Sequence, residues 1–93
     1  MRVSVGFLGI LRDQLGQKSL SVELPDGAGF DDLFEAIAPM VEDKLGSWAW
    51  DKENRRFSPR VAVSRKTGFG KADHSAPLTD GEEIWVFPPL AGG

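Results

Sequence analysis

One stretch of this chain repeats its apolar residues with a helical period, and the remaining apolar stretches alternate with a period of two. Phe30, Leu33, Phe34, Ile37, Val41 and Leu45 fall at offsets 0, 3, 4, 7, 11 and 15, a single stripe along one helix. Asp31, Asp32 and Glu35 crowd its first turns, where carboxylates favour the positive end of the helix dipole. Gly46 follows Leu45 and suits a C-terminal stop. Pro39 lies inside the run, cannot donate a backbone hydrogen bond and disfavours helical geometry at Ala38. The spacing therefore predicts a kink or break at Pro39, with a second short helical piece after it.

Strand periodicity surrounds this helix. Val3, Val5 and Phe7 alternate with Arg2, Ser4 and Gly6, and Leu20, Val22 and Leu24 alternate with Ser19, Ser21 and Glu23. These predict a hairpin with a long connection over 11–18, stopped by the turn residues Pro25-Asp26-Gly27. After the helix, 46–59 reads as a short strand or irregular packed loop around Trp48 and Trp50. A third strand is expected over 60–64 and a last one over 83–87, ended by Pro88-Pro89. The order β, β, α, β, β predicts an α+β domain: one mixed sheet with the first and last strands parallel at its centre, and one helix across one face. The expected core is Val3, Val5, Phe7, Leu20, Val22, Leu24, Leu33, Phe34, Ile37, Val41, Val61, Val63, Leu78, Ile84 and Val86.

Composition then removes whole classes of function. A chain of 93 residues holds one core, so residues 1–89 form one domain and 90–93 a flexible tail. There is no cysteine, which excludes disulfides, thiolate metal sites and iron–sulfur clusters, and the single histidine, His74, cannot build a zinc site alone. No metal or bound cofactor is expected. A formal charge of −3 disfavours a general nucleic-acid binder. No apolar run is long enough to span a membrane and no secretory signal is expected, which places the chain in the cytoplasm. Six cations and no acid occupy 55–72, and four acids and no base follow from Asp73 onward. This is a solvated basic segment beside an acidic turn, or a docking face for an acidic partner.

The C-terminus is the most informative motif. Pro88 and Pro89 fix a rigid exit for Leu90, Ala91, Gly92 and Gly93. With 11 glycines in 93 residues, a Gly-Gly end arises by chance about 1% of the time. Glycines without Cβ atoms can thread a narrow channel and bring a terminal carboxylate up to another enzyme's nucleotide. Such a carboxylate must be activated, for instance as an acyl-adenylate, before it reacts.

The sequence resembles the bacterial molybdopterin-synthase small subunit and the thiamine-pathway sulfur carrier, the MoaD/ThiS family of ubiquitin-like β-grasp proteins. The resemblance is carried by residues 7–13, by the helix from Phe30, and above all by Pro77-Leu78-Thr79-Asp80-Gly81-Glu82-Glu83-Ile84 and Phe87-Pro88-Pro89-Leu90-Ala91-Gly92-Gly93. Pro-Pro before the terminal stretch favours the molybdopterin type. Two features depart from the family: Ser64 where Asn is frequent, and a longer segment from Arg65 to Ala76. The resemblance implies that an ATP-dependent adenylating enzyme activates the Gly93 carboxylate and that a sulfur donor system displaces AMP to leave a thiocarboxylate. The tail then enters the large subunit of molybdopterin synthase. On this reading the protein is a co-substrate and no enzyme; ATP is used by its partner.

Alternation also places a partner surface. Leu8, Trp85 and Phe87 point away from the expected core and lie together near the tail; Phe69, in the loop, is a weaker candidate. The resemblance matches Leu8 and Phe87 to apolar positions through which the family docks its large subunit. The competing reading covers Trp85 and Phe87 with the segment around Trp48 and Trp50, as a second small core. Three functions stay open: a sulfur carrier, a ubiquitin-like modifier joined to lysines through Gly93, or an interaction domain with an idle tail.

Overall fold

The computed structural model describes residues 1–65 and 77–89. Phe69, His74, the remainder of the segment 66–76 and the tail Leu90, Ala91, Gly92 and Gly93 lie outside the described residues. Strands β1 (Arg2–Phe7) and β2 (Ser19–Glu23) frame helix α1 (Ile10–Leu15). Helix α2 (Phe30–Val41) is followed by β3 (Trp50–Asp51), β4 (Arg56–Phe57), β5 (Ala62–Arg65) and β6 (Glu83–Phe87).

Four strands form one mixed sheet in the order β2-β1-β6-β5. β1 and β6 pair in parallel at its centre, with Val5 opposite Ile84 and Phe7 opposite Val86. β2 lies antiparallel on the other side of β1, with Val3 opposite Val22 and Val5 opposite Leu20. This register puts one row of aliphatic side chains on one face, because a strand sends alternate residues to opposite sides. Helix α2 covers that face with Leu33, Ile37, Ala38 and Val41, all buried. Of the expected core residues, all are buried except Val63, which packs half-buried at its rim.

Four local readings need correction. First, the 11–18 connection holds α1, whose Leu11 and Leu15 stand one turn apart and are buried. Gly16, in the left-handed region at φ 72°, closes this helix by donating its N–H to the Arg12 carbonyl at 2.9 Å. Secondly, α2 does not break at Pro39. It continues to Val41, and the Glu42 N–H still reaches the Ala38 carbonyl at 3.0 Å. Proline falls in the final turn on the exposed side, where its missing N–H costs one bond and its ring meets solvent. No second helical piece follows: Leu45 is buried by a turn in which its N–H bonds the Val41 carbonyl at 2.9 Å.

Thirdly, 46–59 contains the small antiparallel hairpin of β3 and β4. Trp50 and Phe57 are its register partners, with ring centroids 5.0 Å apart and planes at 88°. Phe57 also meets Phe34 edge-on at 5.6 Å, so this hairpin plugs the end of the main core beside α2. Asp51 holds the turn: its carboxylate accepts from the Asn54 side chain at 2.8 Å and from the Glu53 and Asn54 amides. Fourthly, the strand expected over 60–64 runs from Ala62 to Arg65.

Three of the four described cations of the basic segment pair with acids of the chain. Arg55 bonds Glu35 at 2.8 Å, Arg56 lies 4.0 Å from Asp31, and Arg65 is bidentate to Glu82. The acids of the first turns of α2 therefore pair with the hairpin besides serving the helix start. Asp32 accepts the Gly29 N–H at 2.9 Å, satisfying a donor ahead of the first turn.

Candidate docking face

With α2 on one side of the sheet, the opposite side lacks a covering element among the described residues. β6 builds its centre. Ile84 and Val86 are sealed in the core, so Trp85 and Phe87 project from the other face; Trp85 is half-buried and Phe87 is 39% exposed. Parallel pairing extends past β1, because the Leu8 N–H reaches the Val86 carbonyl at 3.2 Å. Leu8 follows the inward Phe7 and is half-buried on the same open side. Gly9 then turns the chain at φ 59°, and a Cβ there would stand 3.2 Å from Cγ of Pro88. The glycine thus gives Pro88 room at the point where β6 hands over to the tail.

Leu8, Trp85 and Phe87 are therefore brought to one side of the sheet, with Pro88 and Pro89 leading off it. Trp48 and Trp50 do not cover them. Trp50 is 2% exposed and buried against Phe57, while Trp48 packs against the main core cluster. The second-core reading of Trp85 and Phe87 fails for that reason. Ile10, at the start of α1 and 51% exposed, extends the apolar margin beyond the residues chosen from the sequence. Its signal was the apolar run through Leu8, Ile10 and Leu11, but nothing in that run separates the outward Ile10 from the buried Leu11.

Charge enters this face at Glu83, opposite Ser4 and two residues before Trp85, and at its far end. Arg2 bonds Glu23 at 3.1 Å, and Asp80 accepts the Arg2 N–H at 2.8 Å. Around Trp85 the face carries Ser4, Gly6 and Ser64, all small and uncharged. Two grooves, of about 550 and 460 Å³, are lined by residues of α2, the β3–β4 hairpin and the start of β5; neither includes Trp85 or Phe87. Among the described residues, the face around Trp85 and Phe87 is an apolar surface of the kind suited to a macromolecule.

A clamp behind the face sets the approach to β6. Arg65 donates to both oxygens of Glu82, the second at 2.6 Å, and to the Pro77 carbonyl at 3.0 Å. Glu82 also accepts the Thr79 N–H at 3.0 Å. Burial pushes the Glu82 carboxyl up, but the Arg65 and Thr79 hydrogen bonds outweigh it and hold it below the usual carboxylate range.

The mixed sheet with parallel central strands and one helix packed across it is the ubiquitin-like β-grasp. No protein-family model matches the chain. It is 27% identical over 95 residues to small archaeal modifier protein 3 of Haloferax volcanii, covering all of both chains. Among solved structures, SAMP1 of Haloferax volcanii superposes with a TM-score of 0.78 at 20% identity over the whole of both chains. A Pyrococcus furiosus protein assigned as molybdopterin converting factor subunit 1 superposes with a TM-score of 0.68 at 25% identity, covering 97% of this chain and 99% of that one. The chain is thus similar along its whole length to a small archaeal modifier protein, and it shares its fold with ubiquitin-like β-grasp proteins.

Proposed function

We propose that this protein is a sulfur carrier that works through the carboxylate of Gly93. The observation that carries the reading is the course of β6. The strand is locked at the sheet centre and leads through Pro88-Pro89 to Leu90, Ala91, Gly92 and Gly93, from a face that carries Trp85 and Phe87. In this mechanism the carboxylate attacks the α-phosphorus of ATP in a partner adenylating enzyme, and pyrophosphate leaves. A sulfur donor then displaces AMP from the acyl-adenylate and leaves a thiocarboxylate. The protein acts as a co-substrate: its fold supplies docking and tail direction, and the partner supplies the nucleotide chemistry. The acceptor that best fits the molybdopterin-type Pro-Pro tail is the large subunit of a molybdopterin synthase.

A second reading is favoured by the 27% identity to small archaeal modifier protein 3, which supports conjugation of the activated Gly93 to lysines of other proteins. Both readings share the activation step and differ in the nucleophile that follows. Mass spectrometry of the protein isolated from its host separates them. Exchange of one oxygen for one sulfur at Gly93 supports the carrier. Branched peptides bearing the tail on a lysine, with no sulfur exchange, would replace it with the modifier. An unmodified carboxylate under conditions that induce cofactor synthesis would remove both.

A further inference from the structure

Gly6 sits in the middle of a central strand, where a glycine forfeits side-chain packing and costs conformational entropy. Its backbone does not call for glycine, because its φ lies outside the left-handed region. The demand comes from Trp85, its register partner on β6. A Cβ at Gly6 would lie 2.5 Å from Cζ3 and 2.6 Å from Cε3 of the indole. The benzo ring therefore lies over the backbone of β1, in a notch that any other residue would close. One side of the indole rests on Gly6, and the residue as a whole remains half-exposed. Ser4 and Ser64 beside it are too small to stand above it.

From this geometry we propose that Trp85, seated in the Gly6 notch, is the specificity-determining contact for the adenylating enzyme. The inference rests on the carrier reading above, and equally serves the modifier, because activation precedes either fate. A flat, rigid indole offers a large contact area at small entropic cost, the usual property of an interface anchor. The face is continuous through Phe87 and Pro88 with the start of the tail, so a protein that takes the tail carboxylate meets Trp85 on the same approach. Its matching surface is apolar over Trp85 and Phe87 and accommodates the carboxylate of Glu83, two residues before Trp85 on the same face of β6. The position of the bulk carries the specificity: it is delivered from β6 and laid across β1, and an equal volume rising from β1 would present a ridge.

The test uses the full chain and the purified adenylating enzyme of the same organism, read by ATP–pyrophosphate exchange. Trp85→Ala and Gly6→Ala are each expected to raise the KM for this protein about tenfold or more with kcat unchanged. The first removes the indole and the second lifts it from its notch. The double variant Gly6→Leu/Trp85→Ala returns the volume from the other strand. It should recover the melting temperature lost in Trp85→Ala and leave the KM raised. Recovery of the KM together with stability would overturn the proposal, since the indole would then be mere filler. An unchanged KM in folded Trp85→Ala would do the same. Wild-type protein that supports no exchange with an active enzyme would instead remove the carrier reading on which the inference stands.

Discussion

Phe57 contacts three aromatic rings, Phe7 at 6.5 Å, Phe34 at 5.6 Å and Trp50 at 5.0 Å, so its removal leaves a void that rigid neighbours cannot close. Phe57→Ala is expected to lower stability by about 3–5 kcal/mol in a urea titration. A loss under 1 kcal/mol would show that the hairpin is not part of the core. Glu82 is the second decisive residue. Its carboxylate is only 7% exposed and is held by Arg65. Glu82→Gln weakens that pair and leaves a guanidinium poorly satisfied, at a cost of about 1.5–3 kcal/mol near neutral pH. The sign of the pH dependence follows from the depressed folded-state carboxyl. The stabilisation is complete above the ordinary carboxylate range and is lost as the pH falls through the lower folded value. Denaturant melts of wild type and Glu82→Gln should therefore converge toward acid; a gap that stays constant or widens there would refute this assignment.

At the scale of elements, helix α2 and Pro39 show how position decides the effect of a residue. A proline beyond the first turn gives up its bond to the carbonyl four residues back and crowds that carbonyl, yet α2 runs on to Val41. Pro39→Ala restores one donor toward the Glu35 carbonyl and relaxes Ala38, and should stabilise the protein by about 1 kcal/mol. Amide exchange at 39–42 should slow in parallel. Unchanged exchange would mean that packing of Val41 and Leu45 alone sets the helix end. The expected break rested on the missing donor of Pro39 and its restriction of Ala38, and the second helical piece on Leu45 as the last member of the stripe. That residue is buried by a turn, which has no periodicity to announce it. Helix α1 escaped notice for a related reason. Leu11 and Leu15 are one turn apart, but six residues cannot establish a period against two flanking strands.

For the whole molecule, the parallel pairing of β1 with β6 places the first and last strands side by side at the sheet centre. The core is complete by Val86, and β6 ends at Phe87 ahead of Pro88-Pro89. Deletion of Gly92 and Gly93 should leave the melting temperature within about 1 °C, since surface changes away from core features have small effects. It should also abolish ATP–pyrophosphate exchange with the adenylating enzyme, because the reactive carboxylate is displaced from the nucleotide. Equal exchange by intact and truncated chains would show that the carboxylate of Gly93 is not the group activated.

The residues by themselves determined the sheet, its alternating faces and the helix that covers one of them. Period two and period 3.6 are local properties, and the inward direction of Val5, Ile84 and Leu20 follows once each apolar row must turn to the core, while their register is set by the pairing of the strands. They also placed Leu8, Trp85 and Phe87 on the outer side, since strand alternation leaves no other choice. What only the tertiary structure decided were matters of distance between residues far apart in the chain. Phe57 belongs to the core because a two-residue strand is folded against α2, and two residues carry no pattern. Arg55 and Arg56 are paired because the hairpin returns to the acids of α2. Gly6 reads as an ordinary small residue until Trp85 is laid across it, and its role exists only in the pairing of the two strands.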